Sequence, residues 1–125
     1  MPCRAIFIID ADPVSRTWLY EAVAAKKSIP IQPFPSVEAI FAEYDMRERG
    51  IILMDMNLTH APAMELLRIV NAEPERFEVI VIDGQPCVEI AVDAMKFGAI
   101  DYLVKPVDEI RLFGAIENAV ARLQV

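Results

Sequence analysis

Five short, mainly apolar runs set the limits on this fold, because none of them shows the regular polar–apolar alternation of a half-exposed strand. They cover residues 5–9, 29–34, 50–54, 77–82 and 100–104. Strands that are apolar at every position suit a sheet covered by helices on both faces. Segments with the apolar spacing of helices lie between them. The sequence therefore predicts an α/β domain of five strand–helix units, (βα)₅, with the proline-broken run 29–34 at or near a sheet edge.

The helix boundaries carry recognisable start and stop signals. Asp12 before Pro13 predicts a capped first helix. Its apolar row at helical spacing consists of Val14, Trp18, Ala22 and Ala25. The signals for the other four helices are Ser36 as a cap, Pro62 as an opening residue, Gly98 as a stop and Pro106 as an opening residue, while His60 is assigned to the loop before the third helix.

Length, composition and charge exclude several classes of protein. The 125 residues, 55% of them hydrophobic, predict one domain over 1–125 with a substantial core. Membrane-length apolar segments and a secretion signal are both missing from the sequence, so we expect a cytoplasmic protein. The net charge of -7, without a run of Lys or Arg, argues against direct binding of nucleic acid or a membrane.

Charged residues follow four of the five apolar runs. They are Asp10, Asp55, Asp83 and Lys105. The carboxyl ends of parallel strands meet at one edge of a sheet, where such folds bind ligands. One such charge alone is readily explained by solvation, but four at corresponding positions indicate a site. Clustered carboxylates repel each other and favour a bound cation, and Mg²⁺ prefers oxygen ligands of this kind.

Three stretches resemble the motifs of response-regulator receiver domains from two-component signalling. They are Phe-Ile-Ile-Asp-Ala-Asp-Pro at 7–13, Ile-Leu-Met-Asp-Met-Asn-Leu at 52–58 and Lys-Phe-Gly-Ala-Ile-Asp-Tyr-Leu-Val-Lys-Pro at 96–106. The resemblance covers essentially the whole chain. It implies a doubly wound, flavodoxin-like parallel sheet with strand order 2-1-3-4-5, and a cis peptide bond between Lys105 and Pro106.

The resemblance also implies a role for each site residue. Asp55 would accept a phosphoryl group from a histidine kinase or a phosphotransfer protein. Asp10, Asp55 and the backbone carbonyl of Asn57 would hold Mg²⁺. Lys105 would pair with the phosphoryl oxygens, and Tyr102 matches the aromatic switch residue of the family.

Two positions depart from the family pattern. Receivers carry a second acid where this chain has Ala11, whose methyl group cannot bind a metal, so we expect weakened Mg²⁺ binding. Asp12 is acidic but looks like the helix cap, so we do not count it as a direct replacement. Asp12 and Asp83 are the nearby acids considered as further metal ligands. Asp83 also stands where the family has Thr or Ser; a carboxylate cannot donate the corresponding hydrogen bond. Two unit charges about 4 Å apart repel by roughly 4 kcal/mol at an effective dielectric near 20.

Two interpretations of these changes compete. In the first, Asp83 partly replaces the missing carboxylate, and Asp55 is slowly phosphorylated. In the second, Asp83 forms an ion pair with Lys105 and can also form a hydrogen bond with a protonated neighbour. The pocket is then locked, and this atypical pseudo-receiver signals through protein contacts alone. We favour the second on the sequence, because both changes oppose phosphoryl chemistry.

Partner surfaces and other functions follow from the same resemblance. The family uses its fourth helix, fifth strand and fifth helix for homodimers and partners, which here means Met95, Lys96, Asp101, Arg111 and Glu117, and an output domain in a longer chain is compatible with it. An aspartyl-phosphate phosphatase would need a general acid or base near Asp55 and a cap, and the sequence shows neither. A flavin or nucleotide carrier would need a glycine-rich loop after the first strand, where residues 10–13 contain no glycine.

Overall fold

The protein folds into a five-stranded parallel sheet with helices on both faces. The computed structural model describes residues 5–43, 49–56, 60–72 and 77–123. The strand order is β2-β1-β3-β4-β5, which confirms the predicted doubly wound (βα)₅ architecture. The elements in chain order are β1 (Ala5–Ile9), α1 (Pro13–Ala24), β2 (Ile31–Phe34), α2 (Val37–Glu43), β3 (Gly50–Asp55), α3 (His60–Asn71), β4 (Phe77–Asp83), α4 (Val88–Lys96), β5 (Asp101–Val104) and α5 (Glu109–Leu123).

Two helix starts differ from the sequence prediction. Helix α3 begins at His60, two residues before Pro62, so the assignment of His60 to a loop was wrong. Helix α5 begins at Glu109 rather than at Pro106, because the Asp108 carboxylate accepts a hydrogen bond from the Ile110 N–H at 2.8 Å and acts as the cap. The predicted caps Asp12 and Ser36 are confirmed by hydrogen bonds from the backbone N–H groups of Val14 and Ala39.

Side chains of the strands alternate between two core layers. One layer lies between the sheet and helices α1 and α5, and it includes Ile6, Ile8, Ile51, Leu53, Ile80, Ile82 and Leu103. The other layer lies against helices α2, α3 and α4, and it includes Phe7, Ile9, Ile52, Met54, Val79 and Val81. Helices therefore cover both faces of the sheet, which explains why the strands are mainly apolar.

Helix α1 packs on the sheet with only part of the face that the sequence indicated, because Ala22 of the predicted row is buried whereas Val14 and Trp18 are not. Its buried residues are Leu19, Ala22 and Val23. Val14 is 77% exposed and Trp18 is 41% exposed. The first part of α1 therefore presents apolar side chains to solvent, beside the carboxyl edge of the sheet.

The strands β1 and β3 approach closely at their amino ends, where Ala5 pairs with Gly50. A Cβ atom at position 50 would lie 2.7 Å from the Ala5 carbonyl oxygen and 2.8 Å from a ring carbon of Phe7. Only glycine fits this contact without moving a strand.

Among the described helices, none is both long and apolar enough to cross a membrane.

Candidate functional site

Three of the four charged residues at the strand ends point to the same side of the sheet. Asp10 lies two residues after Ile8, and Asp55 two residues after Leu53, so each carboxylate is on the same face of the sheet as that apolar residue. Lys105 follows Leu103 of β5 in the same way. All three therefore emerge on the α1–α5 side, where Asp10 and Asp55 are each 1% exposed.

Lys105 joins the two carboxylates of this pocket. Its ammonium contacts Asp55 Oδ2 directly. The same nitrogen lies 3.0 Å from Ser15 Oγ and 3.9 Å from Asp10 Oδ2. The lysine thus places its positive charge between two buried negative charges, where an uncompensated carboxylate would be costly.

The two oxygens of Asp10 have different surroundings. Oδ1 accepts a hydrogen bond from the Asp12 N–H at 2.9 Å, and Arg16 donates to the Asp10 backbone carbonyl at 2.7 Å. Oδ2 is buried and has no hydrogen-bond partner in the structure as described. A buried carboxylate oxygen of this kind is a natural ligand for a cation.

Asp83 and Tyr102 belong to the other side of the sheet. Asp83 follows Val81, which packs in the α2–α4 core layer, and Tyr102 packs against that layer. The Tyr102 hydroxyl donates a short hydrogen bond to Asp83 Oδ2, and the Gln85 N–H donates to Oδ1 at 2.9 Å. Both oxygens of this buried carboxylate are therefore satisfied.

The predicted ion pair between Asp83 and Lys105 is wrong. Asp83 lies opposite Val104 in the β4–β5 register, so the side chain of Lys105, one residue further on, emerges on the opposite face. Lys105 instead pairs with Asp55, and Asp83 takes the hydroxyl of Tyr102. The additional hydrogen bond from a protonated neighbour is present, donated by the Tyr102 hydroxyl, but it stands without the ion pair that it was expected to accompany.

Tyr102 stays protonated over the physiological range. Burial, and then the hydrogen bond and negative charge of Asp83, raise its pKa from 10.0 to about 12. The hydroxyl is consequently a permanent donor to Asp83.

A divalent cation fits this pocket with two protein carboxylates. Asp10 offers an unbonded oxygen beside Asp55, and Mg²⁺ is commonly held by one or two carboxylates together with water. Ala11 is exposed and adds no ligand, and the Asp12 carboxylate is used as the cap of α1. Asn57 lies outside the described residues. Over those ranges, no group of three or more His, Cys, Asp or Glu side chains is arranged around a possible metal position.

The remaining predicted features have mixed outcomes. The Lys105–Pro106 peptide bond is cis, as expected. Met95, Lys96 and Arg111 are exposed on the face made by α4, β5 and α5, and Arg111 binds Asp101 at 2.8 and 3.0 Å. The fifth residue predicted for that face, Glu117, instead forms an ion pair with Lys27, which follows α1.

Ser15 is the contact that the sequence reading missed. A serine inside a helix carries little signal by itself. Ser15 lies in the N-terminal turn of α1, close to the carboxyl end of β1. This position is the one sequence indication that Ser15 could reach the pocket.

The chain belongs to the response regulator receiver domain family, whose pattern it matches over residues 6–117. Receiver domains are signalling domains of two-component systems rather than classical enzymes, and they interact with histidine kinases.

Curated relatives extend this similarity to whole regulators. The transcriptional regulatory protein FixJ of Bradyrhizobium diazoefficiens is 28% identical over 119 residues, which are 95% of this chain and 58% of that protein. The response regulator protein TodT of Pseudomonas putida is 26% identical, over 91% of this chain and 50% of its own length. This chain spans about half the length of each.

Solved structures give the same result for the fold. Full-length FixJ from B. japonicum superposes with a TM-score of 0.84 at 27% identity, over 99% of this chain and 61% of that one. A response regulator receiver protein from Pseudomonas putida gives a TM-score of 0.77 at 26% identity, over 94% of this chain and 98% of that one.

Proposed function

We propose that this chain is the receiver module of a response regulator, and that Asp55 accepts a phosphoryl group from a phosphohistidine. The observation that carries the proposal is the contact between Lys105 and Asp55 in a buried pocket that also contains Asp10. This arrangement places a nucleophile, a second carboxylate and a cation within reach of one another. It also favours slow phosphorylation of Asp55 over a locked pocket, because Asp83 binds Tyr102 and does not form an ion pair with Lys105.

In the proposed reaction, a carboxylate oxygen of Asp55 attacks phosphorus. The P–N bond of the phosphohistidine breaks, its electron pair returns to the imidazole nitrogen, and an acyl phosphate forms. Lys105 lies where it can transfer its contact from the carboxylate to the phosphoryl oxygens, where negative charge is concentrated. Asp10 and Asp55 would hold Mg²⁺, which supplies additional positive charge to those oxygens.

We expect this reaction to be slow. Ala11 removes one metal ligand, and the buried charge of Asp83 lies at the end of the adjacent strand β4. The hydrogen bonds from Tyr102 and Gln85 partly compensate the charge of Asp83, and its position on the other face of the sheet reduces the repulsion that the sequence predicted.

The test is intact-mass measurement after incubation with phosphoramidate and Mg²⁺. We expect a mass gain of one phosphoryl group in the wild type and in Asp93→Asn, a change on α4 away from the pocket. We expect no gain in Asp55→Asn. Failure of the wild type to gain mass, or an equal gain in Asp55→Asn, would refute the proposal.

A phosphorylation-independent pseudo-receiver is the second candidate function. The supporting observation is that the Tyr102 hydroxyl donates to the Asp83 carboxylate, so a protein group of the chain itself holds this aromatic residue. The face of α4, β5 and α5 also exposes the apolar residues Val88, Val92, Met95, Val104 and Ile110. An unphosphorylated wild type that associates through this face, with association lost in Val92→Lys, would favour this function.

The wider assignments belong to the same proposal. We propose a cytoplasmic module whose partner is a histidine kinase or a phosphotransfer protein. The full-length relatives support an output domain in a longer chain. The net charge of -7 assigns any contact with DNA to such a domain rather than to these 125 residues.

A further inference from the structure

We infer that Ser15 is a positioning residue that holds the Lys105 ammonium against Asp55. The inference rests on the proposed phosphorylation of Asp55 for its functional consequence, and on the contacts of Lys105 for its structural part. Neither the family pattern nor the comparisons assign a role to this serine.

The first step is the number of hydrogen bonds that fix the lysine. A lysine ammonium has three donors on a flexible four-carbon chain. In the described structure it makes hydrogen bonds to Asp55 Oδ2 and to Ser15 Oγ at 3.0 Å. Its distance of 3.9 Å from Asp10 Oδ2 is too long for a hydrogen bond, although the charges still attract. Ser15 therefore provides the second of two anchors.

The second step is that Ser15 is itself held in place. Helix α1 is capped by Asp12, whose carboxylate accepts from the Val14 N–H at 3.0 Å. Arg16 ties the same turn to β1 through its 2.7 Å hydrogen bond to the Asp10 carbonyl. The backbone that carries Ser15 is thus held next to Asp10 at the end of β1.

The third step concerns Ala11. An acid at this position would put a further negative charge at the mouth of the pocket, whereas Ala11 offers only an exposed methyl group. With that acid missing, orientation of Lys105 depends on Asp55 and Ser15. Loss of the serine hydroxyl would leave the ammonium with one hydrogen bond, and a groove of about 440 Å³ lined by Trp18, Pro106 and Val107 opens next to it. The lysine would then have room to turn away from Asp55.

The experiment compares Ser15→Ala with Ser15→Thr, which keeps a hydroxyl, and with Thr17→Ala, which removes an exposed hydroxyl from the same helix. Phosphorylation by phosphoramidate and Mg²⁺ is followed by intact mass over a range of donor concentrations. We expect the rate at saturating donor to fall about tenfold in Ser15→Ala, as for the loss of a hydrogen bond to a charged group. Ser15→Thr and Thr17→Ala should stay within about twofold of the wild type.

A second readout does not depend on phosphorylation. Acetylation of Lys105 by acetic anhydride is measured by peptide mass, with exposed Lys96 as the internal reference. We expect labelling of Lys105 to increase about tenfold in Ser15→Ala and to remain at the wild-type level in Ser15→Thr, on the same estimate for the lost hydrogen bond.

The two readouts separate the two proposals. A wild type that is never phosphorylated refutes the proposed function, while the labelling still tests Ser15. Unchanged labelling of Lys105 in Ser15→Ala overturns the inference, whether or not the phosphorylation rate changes. An equal effect of Thr17→Ala on either readout also overturns it, because the loss would then reflect the helix rather than the contact.

Discussion

The two sides of the sheet solve the problem of a buried acid differently at the same edge. On the α1–α5 side, Asp10 and Asp55 share one lysine, and one oxygen of Asp10 has no hydrogen bond in the described structure. On the α2–α4 side, Asp83 has a donor for each oxygen, from Tyr102 and Gln85. The first side is electrostatically incomplete and suited to a ligand, whereas the second is closed.

This difference separates the consequences of the two departures from the family pattern. Ala11 follows Asp10 on the incomplete side, so we expect its effect to fall on the proposed cation site. Asp83 belongs to the closed side, so its main effect is on Tyr102 and on the face made by α4, β5 and α5. The following predictions are arranged from the largest expected effect to the smallest.

Removal of the Lys105 ammonium, which Asp10 and Asp55 share, should have the largest effect on stability. Lys105→Met leaves the Asp55 carboxylate buried without its ion pair, and we expect the free energy of unfolding to fall by about 2–3 kcal/mol. Urea unfolding followed by circular dichroism measures this. Lys96→Met, an exposed matched change, should cost less than about 0.5 kcal/mol. The double variant Asp55→Asn with Lys105→Met should recover at least half of the loss; without recovery, the pair is not the cause.

Opening the closed side should have a smaller effect. Tyr102→Phe removes the donor to Asp83, and we expect a loss of about 1–2 kcal/mol, against little change in the exposed control Tyr20→Phe. The folded pKa of Tyr102, about 12, is above its ordinary 10.0. Stability from this bond is therefore fully present below pH 10 and is lost as the pH rises through about 12. Unfolding midpoints across this range should show that loss in the wild type and not in Tyr102→Phe.

Adding an acid to the incomplete side should strengthen metal binding. Ala11→Asp is expected to tighten Mg²⁺ binding about tenfold, or roughly 1.4 kcal/mol, as measured by calorimetric titration. Thr17→Asp adds the same charge elsewhere on α1 and should change the affinity much less. Adding Asp83→Thr to Ala11→Asp should increase affinity only slightly further. A larger gain from Asp83→Thr than from Ala11→Asp would contradict the separation of the two sides.

A surface ion pair should show the smallest effect. The hydrogen bond from Arg111 lowers the pKa of Asp101 below 3.8. The stabilising contribution is therefore present above about pH 4 and is lost as the pH falls through the lowered value. Because the pair is largely exposed, we expect Arg111→Ala to cost less than about 1 kcal/mol, and less again in high salt. An effect as large as that of Lys105→Met would show that this face is more tightly packed than its exposure indicates.

Much of the fold could be predicted because strands buried on both faces leave mainly apolar runs in the sequence. The five apolar runs gave the strands to within two residues at either end. The charged residues after them gave the edge of the sheet that holds the site. The helix faces were harder: Val14 and Trp18 fit helical spacing, but α1 is turned so that Leu19 and Val23 pack on the sheet.

The partner of Asp83 was missed because the runs were compared by their ends alone. Counting by two along β4 and β5 places Asp83 with Tyr102 on one face and Lys105 on the other, once the register is known. Register between neighbouring parallel strands depends on packing of the whole sheet, so the sequence reading had no means to fix it. The hydrogen bond to Ser15 is a tertiary contact between α1 and the residue after β5, and no spacing rule reports it.

The close contact at Gly50 relates the spacing of Asp10 and Asp55 to a residue at the other end of the same two strands. β1 and β3 run side by side from Ala5 and Gly50 to Ile9 and Met54, and Asp10 and Asp55 follow directly. Any side chain at position 50 would have to separate the strands at their amino ends. We therefore expect a substitution at position 50 to change the spacing of the two strands whose carboxyl ends precede Asp10 and Asp55, one strand length or about 17 Å away. On the proposed phosphorylation of Asp55, we expect a substitution at position 50 to lower the phosphorylation rate although every residue of the pocket is unchanged.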